Sequence, residues 1–448
     1  MTTLPNTTLA APRRAAPNLR PFLLYLAMAA LMVGTGFVMG WNYALTVMNM
    51  GLISAIMALG VNLQWGFAGL FNVGIMGFVA LGGLAAVLVS MPPVGEAWAA
   101  GGARTLAGLV LGVLTVVALV VVRRRLGTGR GKVIAMIAVG VVGFIVTRMV
   151  MDPGTTAVEA ISPSSTGYLG GLGLPILLAW PAGGLLAAGA AWIIGKTALG
   201  LRSDYLAIAT LGIAEIILAI LKNEDWLARG VKNVVGIPSP VPRAIDLQND
   251  PSFVARAADL GLSPVDASTL WVKILYMALF AVVLLALLWL AQMALRSPWG
   301  RMMRAIRDNE VAAEAMGKNV TARHLQIFIL GSAICGIAGA MMVTLDSQLT
   351  PGSYQPLRYT FLIWVMVIVG GSGNNWGAVL GGFLIWWLWV IVEPVGNALF
   401  GALNSVLPPD SLIASHLQDA SAHMRLLTMG VILLLVLRFS PRGLIPEK

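Results

Sequence analysis

Charge is scarce in this sequence of 448 residues: Asp, Glu, Lys and Arg make up 11% of it, where a soluble domain carries about 25%. That shortage excludes a water-soluble globule of this length, because too few polar groups remain to cover its surface. Cysteine is scarcer still. Cys335 is alone, which excludes an intrachain disulfide, and its apolar surroundings suit a small buried hydrophobe. The three histidines, His324, His416 and His423, lack metal-ligand spacing, so no zinc motif is present. No nucleophile, base and acid fall together in a catalytic context. Gly195-Lys196-Thr197 ends like a phosphate-binding loop, but the first glycine sits one residue out of register at Gly189, within an apolar run. The stretch Gly371–Gly377 has one residue too many for a dinucleotide fingerprint. No enzyme and no cofactor site are expected on this chain. A net charge of +10 and a pI of about 10.1 would suggest nucleic acid in a soluble protein. Here no Lys/Arg run is interleaved with aromatics, so nucleic acid is not an expected partner.

Apolar residues fill the space that charge leaves. They make up 58% of the chain, with a mean hydropathy of +0.85. Apolar runs long enough to cross a bilayer, about 17–25 residues, recur throughout. Stretches such as Leu270–Leu295 are continuous and too long for the short alternating strands of a barrel, so the expectation is an all-α polytopic bundle. Hydropathy windows give candidate spans at 22–39, 43–63, 74–90, 106–122, 133–150, 174–195, 203–221, 271–294, 325–345, 357–371, 376–395 and 424–438. Allowing for interruptions in 43–90 and 357–395, the count is 10–12. The run Pro21–Gly40 is long enough to span, so it is expected as an uncleaved first helix. With an even count, 19 of the 29 basic residues fall on one set of loops. The positive-inside rule then places both termini in the cytoplasm. The divisions are a tail 1–20, a membrane region 21–295, a cytoplasmic segment 296–323, a second membrane region 324–440 and a tail 441–448. The loops 151–173 and 222–270 fall outside. The second is the longest, and reads either as a solvated linker or as a docking surface.

Two polar, glycine-rich breaks interrupt the apolar pattern, Val61–Gly74 and Gly370–Gly377. Backbone that leaves helical geometry at membrane depth is tolerated only inside protein or beside a wet cavity, and paired breaks point to a transport site. The alternative is a pair of ordinary surface loops. Trp65-Gly66 and Trp376-Gly377 share two residues, too little to claim a repeat. Glu215 stands out as an acid within a span, which costs roughly 2.5–3.5 kcal/mol on insertion scales. It either lines a pathway and meets a polar or cationic group, or sits nearer the membrane surface, or pairs with Arg148 or Lys222. Asn62, Gln64, Asn72, Glu215, Ser372 and Asn374 are the candidate pathway residues.

The most distinctive polar segment runs from Arg296 to Arg323. Ser297-Pro298 starts a helix and Gly317 stops it, with Arg301, Arg304 and Arg307 on one broad face. Such an amphipathic element lies on anionic lipid or enters a groove on a partner. Its residues Ser297, Gly300, Arg301, Arg304, Ala305, Ile306, Arg307, Glu310, Ala312, Ala313, Glu314 and Gly317 resemble the coupling-loop region of ABC importer permeases of the LivM branched-chain amino acid type. Leu201–Gly212 continuing to Glu215, Asn62–Gly74, Val369–Gly382 and Pro441-Arg442-Gly443-Leu444 resemble further segments of that family. The similarity runs from about residue 55 to the C-terminus. It departs in the added spans 106–150 with their basic run Arg123–Lys132, in the length of 222–270, and at Val311, where the wider importer motif has Glu. The resemblance implies a bacterial inner-membrane permease subunit that pairs with a LivH-like permease and a periplasmic substrate-binding protein. Two ATPase subunits would bind ATP and Mg on their own chains. It assigns Arg301, Arg304, Arg307, Asp308, Glu310, Glu314 and Gly317 to ATPase coupling. Substrates such as urea or short amides, and a stand-alone secondary transporter or channel, remain as alternatives.

Overall fold

The computed structural model describes residues 19–163, 165–404 and 412–447. Arg13, Arg14 and Lys448, which entered the charge count, lie outside them. Each of the twelve stretches expected to span is helical. In chain order the long helices are α1 (Arg20–Met39), α2 (Trp41–Ala68), α3 (Ile75–Ser90), α4 (Ala103–Arg125), α5 (Arg130–Glu159), α6 (Ala179–Ala198), α7 (Ser203–Asn223) and α8 (Pro264–Arg296). The short α9 (Pro298–Asp308) and α10 (Glu310–Ala315) follow. Then come α11 (Val320–Asp346), α12 (Leu362–Gly370), α13 (Asn375–Asn404) and α14 (Leu412–Phe439). Among the described residues nine helices are long and apolar enough to cross a bilayer, and Ile75–Ser90 and Arg358–Gly370 are shorter apolar helices beside them.

Burial separates a centre from a periphery. The apolar windows of α2 and α11 are 83% and 78% buried inside the protein, whereas that of α5 is 0% buried. A helix apolar on all sides belongs in a core or in lipid, and the two cases are both present. α11 packs against α2, α3 and α6. Glycine sets the approach: a Cβ on Gly82 of α3 would overlap the Gly336 carbonyl of α11, and one on Gly336 would overlap the Gly183 carbonyl of α6. Small residues let backbones meet where hydrophobicity cannot distinguish protein from lipid. The hairpin α4–α5 repeats the device at Gly108 against Met151 and Gly143 against Thr115, and its main contacts with the rest of the described residues gather near its Trp98 end.

Two charges within the expected spans went unnoticed in the sequence and answer one another here. Glu393 of α13 pairs with Arg425 of α14, whose guanidinium lies 5.6 Å from the Trp389 ring centre. The loop 222–270 is also better ordered than a linker. It holds helices Asp225–Ala228, Ala244–Gln248 and Pro251–Asp259 and the strand Val234–Val235. That strand, β1, pairs antiparallel with β2, Gln348–Leu349, at the end of α11. α8 begins earlier than its apolar run, at Pro264, because Ser263 caps it by accepting from the Asp266 amide at 3.1 Å.

Candidate functional site

The helix ends that carry Arg202, Arg296, Arg307 and Arg442 converge. α9 lies across the last turn of α2, the start of α13 and the C-terminal tail, and the junction of α6 and α7 closes the same end. The segment Arg296–Arg323 is not one helix. It breaks at Asn309, which leaves helical geometry and accepts from the Ala312 amide at 2.9 Å to start α10. Gly317 does end the second piece, at φ 75°. The entry is equally specific: Pro298 opens α9 directly after α8, and a Cβ on Gly300 would overlap the Leu295 carbonyl, so the chain turns there only with glycine.

The first break is shorter than the sequence suggested. α2 stays helical through Ala68, so Asn62 and Gln64 project from a helix, and only 69–74 unwinds after Gly69 at φ 70°. α2 has 28 residues and α3 only 16, about 42 and 24 Å at 1.5 Å per residue, against about 30 Å of hydrocarbon. The unwound piece supplies the difference by climbing back into the bundle. Its backbone groups find side-chain partners there, as the absence of water demands. Thr210 Oγ1 accepts from the Val73 amide at 3.1 Å, Thr360 Oγ1 donates to the Val73 carbonyl at 3.1 Å, and the Trp364 indole donates to the Asn72 carbonyl at 3.0 Å. Thr360 lies ten residues before the end of α12 at Gly370, about 15 Å along a helix.

The fully buried amides of Asn62, Gln64 and Asn72 cross-link segments rather than face open space. Gln64 Nε2 donates to the Phe328 carbonyl at 2.9 Å and to Ser332 Oγ at 3.1 Å, and its Oε1 accepts from Asn72 Nδ2 at 2.9 Å. Asn62 joins the two breaks: Nδ2 donates to Asn375 Oδ1 at 2.9 Å and Oδ1 accepts from the Gly373 amide at 2.9 Å. A Cβ on Gly66 would overlap the Asn62 Oδ1 and the Gly373 amide, which explains the glycine of Trp65-Gly66. In the second break Asn374 is half-buried, capping α13 through the Trp376 amide at 3.0 Å and donating to the Pro446 carbonyl at 3.1 Å. Ser372 is exposed at the tip.

Arg307 closes the junction. Its Nη1 donates to the Gly66 carbonyl and to Glu447 at 2.9 Å, and Nη2 pairs with Asp308 at 3.0 Å. Burial disfavours the guanidinium charge, but Glu447 and Asp308 outweigh it and hold its pKa above the ordinary value. The tail is stitched down beside it, with the Leu444 and Ile445 amides donating to the carbonyls of Val369 and Gly370 at 2.9 Å each. Gly443, at φ 77°, lies so close to Gly371 that a side chain on it would overlap. Glu447 of the tail, a contact of Arg307, is not among the candidates that the sequence pattern offers. Arg304 is half-buried, while Arg301, Asp308, Glu310, Glu314 and Gly317 are exposed.

Glu215 stands apart from the other pathway candidates. α7 buries Leu206, Thr210, Ala214 and Leu218 against the bundle and turns Glu215 outward between Ile208 and Ile216, which are 69% and 59% exposed. It meets no polar partner among the described residues, and Arg148 pairs with Asp152 at 3.0 Å. Among the described residues no cluster of three or more His, Cys, Asp or Glu could hold a metal ion.

The family described as the permease component of the branched-chain amino acid transport system matches residues 126–437. That range takes in α5 to α14 and leaves Asn62–Gly74 outside it. The high-affinity branched-chain amino acid transport system permease protein LivM of Escherichia coli is 27% identical over 266 residues, 58% of this chain and 59% of that protein. A probable LivM of Methanocaldococcus jannaschii is 28% identical over 248 residues, 55% of this chain and 61% of that protein. A probable LivH of the same organism is 30% identical over 112 residues, 25% of this chain and 34% of its own length. The chain thus spans about three-fifths of the length of the LivM proteins it matches. No solved structure matches. With nine spanning-length apolar helices among the described residues and a family match over most of its length, the chain is a multi-pass membrane protein that belongs to the family of branched-chain amino acid transport permease components.

Proposed function

We propose that this chain is the LivM-type permease subunit of an ATP-driven importer for branched-chain amino acids in a bacterial inner membrane. The arginine-rich end faces the cytoplasm by the positive-inside rule, with both termini on that side. A LivH-like permease completes the pathway, two ATPase subunits carry ATP and Mg on their own chains, and a periplasmic protein delivers substrate to the opposite end. The loop 222–270, folded over that opposite end and tied by β1 to α11, is its docking surface.

The observation that carries this reading is the junction at Arg307. One side chain on the coupling segment holds the end of α2 and the tail, and the tail is bonded to the end of α12. A push on α9 and α10 therefore reaches both broken helices at once. Arg301, Asp308, Glu310 and Glu314, exposed around it, form the surface for the ATPase. Asn62, Gln64 and Asn72 hold the unwound segment in shape behind the pathway, and Ser372 and Asn374 belong to its cytoplasmic side. Glu215 faces the second permease, since a carboxylate left in lipid is costly, and its acid suits the ammonium group of an amino acid passing between the subunits.

The test is reconstitution of the complex in proteoliposomes. Arg304→Glu/Arg307→Glu is expected to leave ATP hydrolysis uncoupled from uptake, or to lose the ATPase during purification. Glu215→Gln is expected to lower uptake and flatten its pH dependence. Normal assembly and coupling in the first variant, or solute movement by this chain alone without nucleotide, overturns the proposal.

A further inference from the structure

At the arginine-rich end a cavity of about 360 Å³ opens between the last turn of α8, the coupling helix α9 and the turn that begins α13. Its lining offers mostly donors. Arg296 ends the 33-residue helix α8, and Arg304 comes from the next helix. Neither guanidinium forms an ion pair among the described residues. Gln292 adds an amide. Glu447 contributes the one carboxylate, and Arg307 already engages it at 2.9 Å.

The buried wall of the cavity includes Asn375, which is 2% exposed. Its Oδ1 accepts from Asn62, and its Nδ2 has no partner among the described residues. A buried donor left unsatisfied costs about 1–3 kcal/mol, so an acceptor is wanted where none of the protein's own is supplied. The first amides of α13 do not compete, because Asn374 caps them. Two unpaired guanidinium groups and an orphan amide call for an anion with several acceptor oxygens, and phosphate has that chemistry.

The position of the cavity selects the source of the phosphate. Its rim includes Trp376, 48% exposed, whose ring meets Tyr25 of α1 edge-on at 6.0 Å and whose carbonyl accepts from the Tyr25 hydroxyl at 2.7 Å. An indole and a phenol beside the arginine that ends an apolar helix mark the membrane–water boundary. Basic pockets between spans at that level hold lipid headgroups.

We propose that this cavity binds the phosphate of an anionic phospholipid headgroup between Arg296, Arg304 and Asn375, tethering the coupling segment to the bilayer. The site requires only that the chain lies in a membrane, and stands whether or not the transported solute is an amino acid. Arg296 and Arg304 make no side-chain bond that the fold depends on, so their loss leaves the protein intact. The test is native mass spectrometry of the full chain, purified in detergent and titrated with phosphatidylglycerol or phosphatidylcholine. The wild type is expected to retain one phosphatidylglycerol at least tenfold more tightly than phosphatidylcholine. Arg296→Gln/Arg304→Gln is expected to lose that preference, while Arg123→Gln/Arg124→Gln on the distant hairpin keeps it. Millimolar inorganic phosphate is expected to leave the lipid bound. Equal retention in the Arg296→Gln/Arg304→Gln variant overturns the site. Displacement by inorganic phosphate, without preference among lipids, overturns the lipid assignment, as does occupancy of the cavity by an acidic side chain of a bound ATPase.

Discussion

Asn62→Leu tests whether the two broken helices are held together by one buried amide. The side chain is fully buried, and both bonds it makes, to Gly373 and to Asn375, are 2.9 Å long and cross more than three hundred residues of chain. Leucine matches the volume but leaves the Gly373 amide and Asn375 Oδ1 without partners. Unsatisfied buried groups cost about 1–3 kcal/mol each, while single hydrogen bonds between membrane helices average about 0.6 kcal/mol and reach about 1.7. Combining the two scales puts the loss at about 3 kcal/mol, or roughly a hundredfold in a local opening equilibrium. Hydrogen exchange of the peptide 367–377, resolved to single amides, reads this directly. The Gly373 amide is expected to exchange roughly a hundredfold faster in Asn62→Leu, as its opening becomes easier. Asn62→Asp keeps the acceptor for Gly373 and loses the donor to Asn375, so Gly373 should stay better protected there than in the leucine variant. A Gly373 amide that exchanges at the wild-type rate in a folded Asn62→Leu protein refutes the pinning role.

Other perturbations separate packing from polar contacts. Gly82→Ala puts a methyl group into the Gly336 carbonyl and should cost about 3 kcal/mol by overpacking, lowering the thermal midpoint in detergent; Gly189→Ala, with nothing within 4 Å, should not. Equal midpoints would remove the glycine contact from the account. Arg307→Glu should free the tail by about 2–4 kcal/mol, since it loses a charged bond to Gly66 and a partly exposed ion pair. Adding Glu447→Arg should restore only the ion-pair share, read as protection of residues 441–447 from proteolysis; full restoration would leave nothing for the Gly66 contact. Cys335, 2% exposed, should resist maleimide until denaturation while Ser372→Cys reacts at once, and equal native rates would contradict the packing of α11.

Hydropathy carried the helices. Each apolar run became a helix because the bilayer leaves the backbone no other partner, and short-range composition suffices to detect that. Depth and orientation within the bundle were harder to read. The break at Val61–Gly74 looked longer than it is, because Asn62 and Gln64 are polar residues that a helix tolerates when other segments satisfy them. Those partners, Phe328, Ser332, Gly373 and Asn375, lie about 260 residues or more away, and nothing local announces them. Glu215 was legible as an anomaly, but the face it occupies follows from which side of α7 packs on α3. Asn309 was legible in principle, since an Asn followed by Glu310 and Ala312 is a helix-start pattern; the start signal at Ser297-Pro298 and the stop at Gly317 bracket it as one continuous helix. Glu393 and Arg425 lie near the ends of apolar runs, and they meet only because α13 and α14 are neighbours.

The polar residues of the two breaks divide by what surrounds them, and that division bears on which parts can move. Asn62, Gln64 and Asn72 are saturated with protein partners, so any rearrangement that separates α2 from α11 or from α13 must break several buried bonds with no water to replace them. Such a unit moves as a block. The contacts of α9 and α10 are of another kind: apart from Arg307 and the half-buried Arg304, their charged side chains are exposed, and Met303, Ile306 and Ala313 are the buried apolar residues. A segment attached by a few apolar side chains, the Trp299–Gln326 bond and one arginine can shift against the block at modest cost. The block then responds through Gly66 and Glu447, the two groups Arg307 holds, which places the mechanical input at the foot of α2 and at the tail that is bonded to α12. Relative motion between the saturated core and the lightly attached segment is thus the cheap coordinate of this fold, and separation of the two broken helices the expensive one.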